Sequence, residues 1–266
     1  MGNALNSFVS LKKWVSCMVS VEWNYSDRAA HYDKRPDYSD QAIDDVLKCM
    51  GIQAPCDVGD IGAGTAKLSR PLALRGCNVS AVEPNREMRK IGMKNTATLP
   101  VTWSDGTGEK TGLSSASVQA AFFGSSFNVV DQAATLRECG RILVPGGWFC
   151  CMWNHRDLSD PLQARIEEAI KAKIPGYNYG KRREDPTEII NSSGLYGDVQ
   201  HLNNKFTAQM SVADVIEAWK SHATLARQAG SAFEALLNEI KAMLDGRDLI
   251  KVPYTSRIWF ARLTSR

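Results

Sequence analysis

The chain has 266 residues, enough for one large domain with a substantial core. Its hydrophobic fraction of 44% and its charged fraction of 23% are typical of a globular protein, and a net charge of +3 argues against nucleic acid or an anionic membrane as a partner. The seven cysteines have neither the spacing of a disulfide framework nor a CxxC pair. We therefore expect a reducing, cytoplasmic compartment and no metal site.

Residues 1–50 are predicted to form an N-terminal helical segment that lines the ligand site. An apolar stretch near the start is split by Lys12 and Lys13, so it is too short to span a membrane, and it lacks the pattern of a signal peptide. Residues 39–51 carry apolar side chains at helical spacing and end in Gly51, which is typical of a helix terminus.

Residues 51–158 alternate between strand and helix patterns and are predicted to form the core domain. Short apolar runs predict strands at 56–62, 77–84, 99–106, 117–124 and 146–154, and helices are expected at 65–76, 85–95 and 131–143. We expect Asn85 and Asp131 to cap the last two helices. This alternation predicts a parallel sheet with helices on both faces, and ligands then bind beyond the carboxyl ends of the strands.

Residues 159–266 have a different pattern and are predicted to form a helical cap with the last strands of the sheet. Helices are expected at 159–173 and 211–246, and strands at 198–206 and 256–263. The polar loop between the two helical regions contains the run Lys181-Arg182-Arg183. This run is interpreted as a solvated loop, with attraction of an acidic substrate as the alternative.

Two glycines after the first strand predict a nucleotide-binding turn. Gly62 and Gly64 let the backbone turn sharply and approach a ligand, and the turn is followed by a predicted helix. The dinucleotide fingerprint GxGxxG would need a third small residue at position 67, where this chain has Lys67. The dinucleotide interpretation is therefore excluded.

Two further segments complete the predicted nucleotide site. Glu83 ends the second strand, where a carboxylate can accept hydrogen bonds from both hydroxyls of a ribose. The segment after the third strand reads SDGTGEKTGL, and its acidic and small residues can pass close to an adenine ring.

Residues 56–154 resemble a class I S-adenosylmethionine-dependent methyltransferase of the small-molecule type. The motifs that carry the resemblance are D-I-G-A-G-T-A at 60–66, A-V-E-P-N at 81–85, G-E-K-T-G-L at 108–113 and L-R-E-C-G-R-I-L-V-P-G-G at 136–147, preceded by Y-D-K-R-P-D-Y at 32–38. The resemblance implies an α/β fold: a Rossmann-like, doubly wound, seven-stranded and mostly parallel sheet with a helical cap in the C-terminal half.

The resemblance also implies which residues bind S-adenosyl-L-methionine, with S-adenosyl-L-homocysteine as the product. Gly62 and Gly64 would pass beside its methionine part, Asp60 would order the amino end, and Glu83 would hold the ribose. Asn85 and Met88 would flank the adenine, with Gly108 and Glu109 on its other edge. The further cofactor-binding residues that it implies are Tyr25, Arg35 and Ser125. Ala66 stands where the family has a last glycine, and we expect a slight helix shift to accommodate its methyl group.

Candidate acceptor-binding residues follow the fourth and fifth strands. His155 is the candidate catalytic base, with a polar loop histidine as the alternative. Arg156 is a candidate to hold an anionic substrate group, or else to pair with a nearby aspartate. His222 is either a substrate contact or a structural residue of the cap. Tyr32, Asn128 and Asn154 complete the predicted substrate site.

The leading functional prediction is methyl transfer to an O, N, C or S atom of a small molecule, in a biosynthetic pathway. The alternatives are methylation of a protein or nucleic acid, and S-adenosylmethionine binding without catalysis. We expect no nucleic-acid or membrane partner, and a monomer or a homodimer.

Overall fold

The computed structural model describes residues 26–264, which form a seven-stranded sheet flanked by helices. The strand order is β3-β2-β1-β4-β5-β7-β6. Strands β1 to β5 are parallel, and β7 runs antiparallel to both β5 and β6. The predicted doubly wound, mostly parallel sheet is therefore confirmed. None of the helices between residues 26 and 264 is both long and apolar enough to cross a membrane.

The elements have the following bounds. The strands are β1 Cys56–Ile61, β2 Cys77–Val82, β3 Val101–Ser104, β4 Val118–Gly124, β5 Leu143–Arg156, β6 Gln200–Ser211 and β7 Leu249–Arg262. The α-helices are α1 Ala29–Tyr32, α2 Asp40–Met50, α3 Ser69–Ala73, α4 Arg86–Asn95, α5 Gln132–Ile142, α6 Pro161–Lys173, α7 Thr187–Ser192, α8 Val212–Lys220, α9 Ala223–Ala229 and α10 Phe233–Met243.

Several helix boundaries match the predicted caps. Asn85 accepts hydrogen bonds from the backbone N–H groups of Glu87 and Met88, and Asp131 accepts one from Ala134, so both predicted N-caps are confirmed. Helix α2 ends at Gly51 in the left-handed conformation, again as predicted.

Other boundaries differ from the prediction. The helix expected at 65–76 shrinks to α3, because the chain takes a left-handed conformation at Ala66 before the helix begins. The region expected to be helical at 211–246 consists of α8, α9 and α10, with breaks at Ser221 and Gly230. The last two strands extend well beyond their predicted bounds because they pair with each other over twelve residues.

Successive residues of the central strands point to opposite faces of the sheet and pack into two separate hydrophobic cores. Phe122 packs on one face of the sheet with α2 and α3, and Phe123 packs on the other with α5. The cap has a third core, in which side chains of α6, α8 and α10 contact the ends of β6 and β7 that adjoin the cap. The sheet order reverses between β1 and β4, so the topology places a ligand site at the carboxyl ends of these two strands.

Candidate active site

The glycine turn after β1 lies directly against the end of β4. Gly62 and Gly64 have φ angles of +71° and +58°, which L-residues rarely adopt. A side chain at Gly62 would place its Cβ 2.6 Å from Cβ of Ser126, and Oγ of Ser126 donates to the carbonyl of Ile61 over 2.6 Å. Both the backbone angle and the close approach therefore require glycine at position 62.

Glu83 connects the glycine turn to the end of β2. One carboxylate oxygen accepts a hydrogen bond from the N–H of Gly64 and the other accepts one from the N–H of Asn85, each at 2.8 Å. Burial raises the pKa of Glu83, and the two backbone donors oppose that shift. Each oxygen has a second lone pair, so the carboxylate can still accept from a pair of hydroxyls.

Asp60 is completely buried beneath the glycine turn. Its Oδ2 accepts a hydrogen bond of 2.6 Å from the Ser69 hydroxyl, whereas its Oδ1 has no hydrogen-bond partner. Burial raises the pKa of Asp60 to about 7, with Ser69 opposing and Glu83 adding to the shift. A buried carboxylate oxygen without a donor is costly, and a bound ammonium group would remove that cost.

Ala66 ends the turn with a φ of +74° and is buried. This angle places it in the left-handed region, which costs an L-residue roughly 1–2 kcal/mol. Instead of the expected slight shift of the helix, the structure has a strained backbone at Ala66. The helix itself starts three residues later, at Ser69.

The predicted adenine contacts are spread over two places. Met88 is buried in α4 and borders the turn. A Cβ atom added at Gly64 would lie 3.2 Å from the Cε of Met88. Gly108 packs on Thr135 of α5, and Glu109 accepts a hydrogen bond of 2.7 Å from the N–H of Asp131. An adenine contact of Gly108 and Glu109 stays a prediction.

A cavity opens beside the turn and brings many of the predicted residues together. It lies between the carboxyl ends of β4 and β5 and the cap. Of the predicted site residues, Tyr32, Arg35, Ser125, Asn154, His155, Arg156 and His222 line it. Asn128 does not line this cavity: its side-chain oxygen accepts a hydrogen bond of 2.9 Å from the indole of Trp153, beside a separate surface depression. Tyr25 lies outside the described residues.

Arg35 joins the segment before α2 to the cap. Its Nε donates to the Ser221 hydroxyl over 2.7 Å and its Nη2 donates to the Ser221 carbonyl, while its guanidinium lies 4.3 Å from the centre of the Tyr32 ring. Asn154 also links these regions, since its amide donates to the carbonyl of Asp37 and its oxygen accepts from Ser256.

His155 is held as a neutral imidazole. Its Nε2 lies 3.1 Å from the carbonyl oxygen of Arg182, and because a carbonyl only accepts, this nitrogen carries the proton. Burial, together with the charges of Arg183 and Arg182, lowers the pKa of His155 to about 3. A group with so low a pKa is a weak proton acceptor at neutral pH, which argues against His155 as the catalytic base. It is not a loop residue either, because it lies in β5.

His222 lies between two guanidinium groups. Nη1 of Arg156 is 3.2 Å from its Nε2, and Nη1 of Arg182 is 3.4 Å from its Nδ1. Burial and the surrounding arginines lower the pKa of His222, so the ring is neutral. Arg156 also stacks on Trp219, with its central carbon 3.8 Å from the ring centroid.

Comparison with known proteins identifies the fold around the turn. Residues 59–151 match the family model described as a methyltransferase domain. This span contains the glycine turn, Glu83 and the carboxyl end of β4, and it stops within β5, before Asn154. Residues 59–151 therefore match a methyltransferase domain, which supports the predicted resemblance to a class I S-adenosylmethionine-dependent methyltransferase.

Individual relatives agree with this assignment. An uncharacterized methyltransferase of Mycobacterium tuberculosis is 40% identical over 124 residues, which are 46% of this chain and 48% of that protein. The ubiquinone/menaquinone biosynthesis C-methyltransferase UbiE of Caulobacter vibrioides is 29% identical over 134 residues, which are 48% of this chain and 51% of that protein. The chain therefore spans about half the length of these curated relatives.

A solved structure has the same fold over most of the chain. Phosphoethanolamine N-methyltransferase 2 of Haemonchus contortus, in complex with S-adenosyl-L-methionine, superposes with a TM-score of 0.54. The match covers 89% of this chain and 57% of that one, at 16% identity. At this identity the likeness concerns the fold alone.

The residues of the methyltransferase domain fit S-adenosylmethionine. The unpartnered Oδ1 of Asp60 suits the amino group, Gly62 and Gly64 leave room for the methionine part, and Glu83 has free lone pairs for the ribose. The described residues contain no group of three or more His, Cys, Asp or Glu side chains arranged for a metal ion.

The predicted site omitted several residues that line the cavity. Tyr38, Tyr179, Arg182, Arg183 and Trp219 line the cavity. Tyr38 belongs to the Y-D-K-R-P-D-Y segment, and the conformation of Ser125, with a φ of +62°, places its hydroxyl 2.9 Å from that of Tyr38. Arg182 and Arg183 belong to the run interpreted as a solvated loop. A short 3-10 helix, Gly180–Arg183, brings them to the cavity instead.

Asp105 is a further candidate near the cofactor site. It directly follows β3, and the preceding carbonyl of Ser104 accepts a hydrogen bond of 3.1 Å from the N–H of Glu83. Its carboxylate also pairs with Arg89 at 3.1 Å. Its position at the carboxyl end of the strand predicted at 99–106 was the signal in the sequence that could have identified it.

Proposed function

We propose that this protein is an S-adenosylmethionine-dependent methyltransferase that acts on a small-molecule acceptor. One observation carries the proposal: Asp60, the glycine turn and Glu83 together form a polar cradle beside a cavity that the cap covers. The family match over residues 59–151 supports it. So do the two named enzymes above, one with S-adenosyl-L-methionine bound and the other acting in ubiquinone/menaquinone biosynthesis.

The chain's residues would divide the work between binding and alignment. S-adenosylmethionine supplies an electrophilic methyl group when it is bound. Asp60 would hold its amino group, Glu83 its ribose hydroxyls, and Asn85 and Met88 would border its adenine. Arg35 is the candidate for its carboxylate, because its guanidinium is a positive charge at the cavity wall. The cap would exclude water and align the acceptor.

The size and position of the cavity favour a small acceptor over a macromolecule. Its walls include residues of α6, α8 and the 3-10 helix, all of which belong to the cap, so a folded protein or a duplex would have to displace them. The net charge of +3 also argues against nucleic acid. We accordingly propose a biosynthetic, cytoplasmic enzyme that acts as a monomer or a homodimer.

Calorimetry with S-adenosylhomocysteine tests the cofactor assignment. The wild-type protein should bind it, and Glu83→Ala should weaken binding at least tenfold because the ribose hydroxyls lose their acceptor. Glu87→Ala is the matched control, since that side chain pairs with Lys90 on α4. Absence of binding by the wild type would refute the proposed function.

A further inference from the structure

Basic side chains outnumber acidic ones around the cavity. Five of its lining residues are basic, namely Arg35, Lys67, Arg156, Arg182 and Arg183, and Glu167 is its one acidic residue within positions 26–264. Lys67 lies 3.2 Å from a carboxylate oxygen of Asp37. Glu167 lies 3.3 Å from Nζ of Lys171 and also accepts from Tyr179. These pairs leave a surplus of positive charge among the arginines.

Arg156 and Arg182 have no carboxylate partner among residues 26–264. Both contact His222, one at each ring nitrogen. A neutral imidazole has a single acceptor nitrogen, so it can satisfy one of the two guanidinium groups, and the other faces an N–H. At least one of the two arginines therefore has no acceptor on His222, and two cations near one another are unfavourable in a partly dehydrated site.

Arg183 adds a second donor that needs an acceptor. Its Nε is buried and makes no hydrogen bond, while its guanidinium lies 3.8 Å from the centre of the Tyr179 ring. Stacking of Arg156 on Trp219 and of Arg183 on Tyr179 fixes both planar groups and leaves their edges for a planar acceptor. The S-adenosylmethionine carboxylate accounts for one arginine at most, and Arg35 is its candidate.

On the basis of the proposed function, we propose that the acceptor is a small carboxylic acid, that Arg156 and Arg182 bind its carboxylate, and that the reaction forms a methyl ester. A carboxylate oxygen forms the new bond to the methyl carbon while the carbon–sulfur bond breaks. The electron pair of that bond stays on sulfur, and no proton is released. The positive charge of the sulfonium and the negative charge of the carboxylate are both lost in this step.

This reaction matches the proton chemistry of the cavity. An alcohol or an ammonium group would have to lose a proton before or during transfer. The pKa values of His155 and His222 are lowered by burial and by the arginines, and burial raises the pKa of Tyr38, so none of these groups is a strong base at neutral pH. A carboxylic acid is already ionised at neutral pH, and the positive charge of the arginines favours this carboxylate form.

Anion binding tests the proposal without turnover. Succinate, citrate and benzoate would each be titrated by calorimetry into the protein saturated with S-adenosylhomocysteine, with inorganic phosphate as the competing oxo-acid. We expect at least one carboxylate to bind more tightly than phosphate. Arg156→Gln and Arg182→Gln should each weaken it at least tenfold, while affinity for S-adenosylhomocysteine stays within twofold.

Arg165→Gln is the matched control, because Arg165 lies on the exposed side of α6 and does not line the cavity. If no carboxylate binds, if phosphate binds better, or if the control variant weakens binding as much as the cavity variants, the proposal is overturned. Failure to bind S-adenosylhomocysteine would instead refute the proposed function, so the two failures are distinguishable.

The product provides a second test. S-adenosylmethionine labelled in its methyl group would be incubated with the protein and the low-molecular-mass fraction of a cell extract. A methyl ester releases labelled methanol in mild alkali, whereas methyl ethers, methylamines and methyl phosphate esters keep the label. Alkali-labile product that Arg156→Gln reduces supports the proposal, and alkali-stable product overturns it.

Discussion

The N–H of Gly64 donates a hydrogen bond of 2.8 Å to the carboxylate of Glu83, which ties the turn after β1 to the end of β2. The same carboxylate accepts from Asn85, the residue that caps α4. One buried side chain thereby organises three backbone segments of the cofactor site. Its removal should affect both the shape of the site and its affinity.

Glu83→Gln tests this dual role. An amide keeps the size of the side chain but has one acceptor oxygen, so its NH₂ group would face the N–H of either Gly64 or Asn85. We expect affinity for S-adenosylhomocysteine to fall about tenfold to a hundredfold, and unfolding free energy to fall by about 1–3 kcal/mol. Calorimetry and urea unfolding measure the two effects. Unchanged values in both would contradict the role assigned to Glu83.

Ala66→Gly should stabilise the protein. Glycine adopts a φ of +74° without strain, and the gain should exceed the extra conformational entropy that glycine has in the unfolded chain. We expect an increase of about 1 kcal/mol in the unfolding free energy, measured by urea denaturation. Ala73→Gly is the control, since Ala73 lies within α3 and glycine there should destabilise. A loss of stability in Ala66→Gly would show that its methyl packing outweighs the strain.

Gly62→Ala should be strongly destabilising, because it combines an unfavourable φ with a contact of 2.6 Å to Cβ of Ser126. We expect a loss of about 2–5 kcal/mol in unfolding free energy. Ser126→Gly removes the contacting atom, so the double variant should recover part of this loss. Strictly additive effects in a double-mutant cycle would argue against direct contact between these positions.

The pH dependence of the unfolding free energy should reveal the raised pKa of Asp60. Its pKa is about 7 in the folded protein, above the value near 3.9 expected when unfolded, so the folded state binds more protons between these values. Relative to Asp60→Asn, the wild-type unfolding free energy should therefore be highest below pH 4 and should decline as the pH rises towards 7. Urea unfolding from pH 4 to 8 measures it, and a constant difference would contradict the buried, protonated carboxyl.

His155 should remain neutral well below its usual titration range. Its pKa near 3 lies below the usual histidine value of 6.5, so its contribution to stability is present above pH 6.5 and is lost as the pH falls towards 3. NMR titration, with the resonance assigned by its loss in His155→Gln, should show no protonation between pH 8 and 5. A midpoint near 6.5 would restore His155 as a candidate base.

The cofactor half of the site was predictable because its signals are local. Gly62, Gly64 and Glu83 lie at strand ends that short-range apolar patterns identify, and parallel strands bring their carboxyl ends to one edge. Asn85 and Asp131 cap helices by contacts within three residues, so their roles also follow from nearby sequence. The cofactor contacts of Gly62, Gly64, Glu83 and Asn85, like those of Gly108 and Glu109, stay predictions.

The acceptor half was predicted less completely because its contacts are distant in the chain. Arg156 and His222 are separated by 66 residues, and Arg182 reaches His222 across 40. A run of three basic residues has the same appearance in a solvated loop and in a cavity wall. Asn128 illustrates the opposite error: it follows β4 as a site residue would, yet Trp153 binds its side chain outside the main cavity.

The sequence by itself determined the order of strands and helices, the glycine turn, the acidic strand end and the exclusion of a dinucleotide fingerprint, because each depends on residues within one turn or one strand. Tertiary structure decided which charges meet. Packing of the cap against β5 and β7 placed Arg156, Arg182 and His222 together and lowered the pKa of both cavity histidines, His155 and His222. Burial and electrostatic interaction depend on distances through space, and the spacing of residues along a chain does not specify those distances.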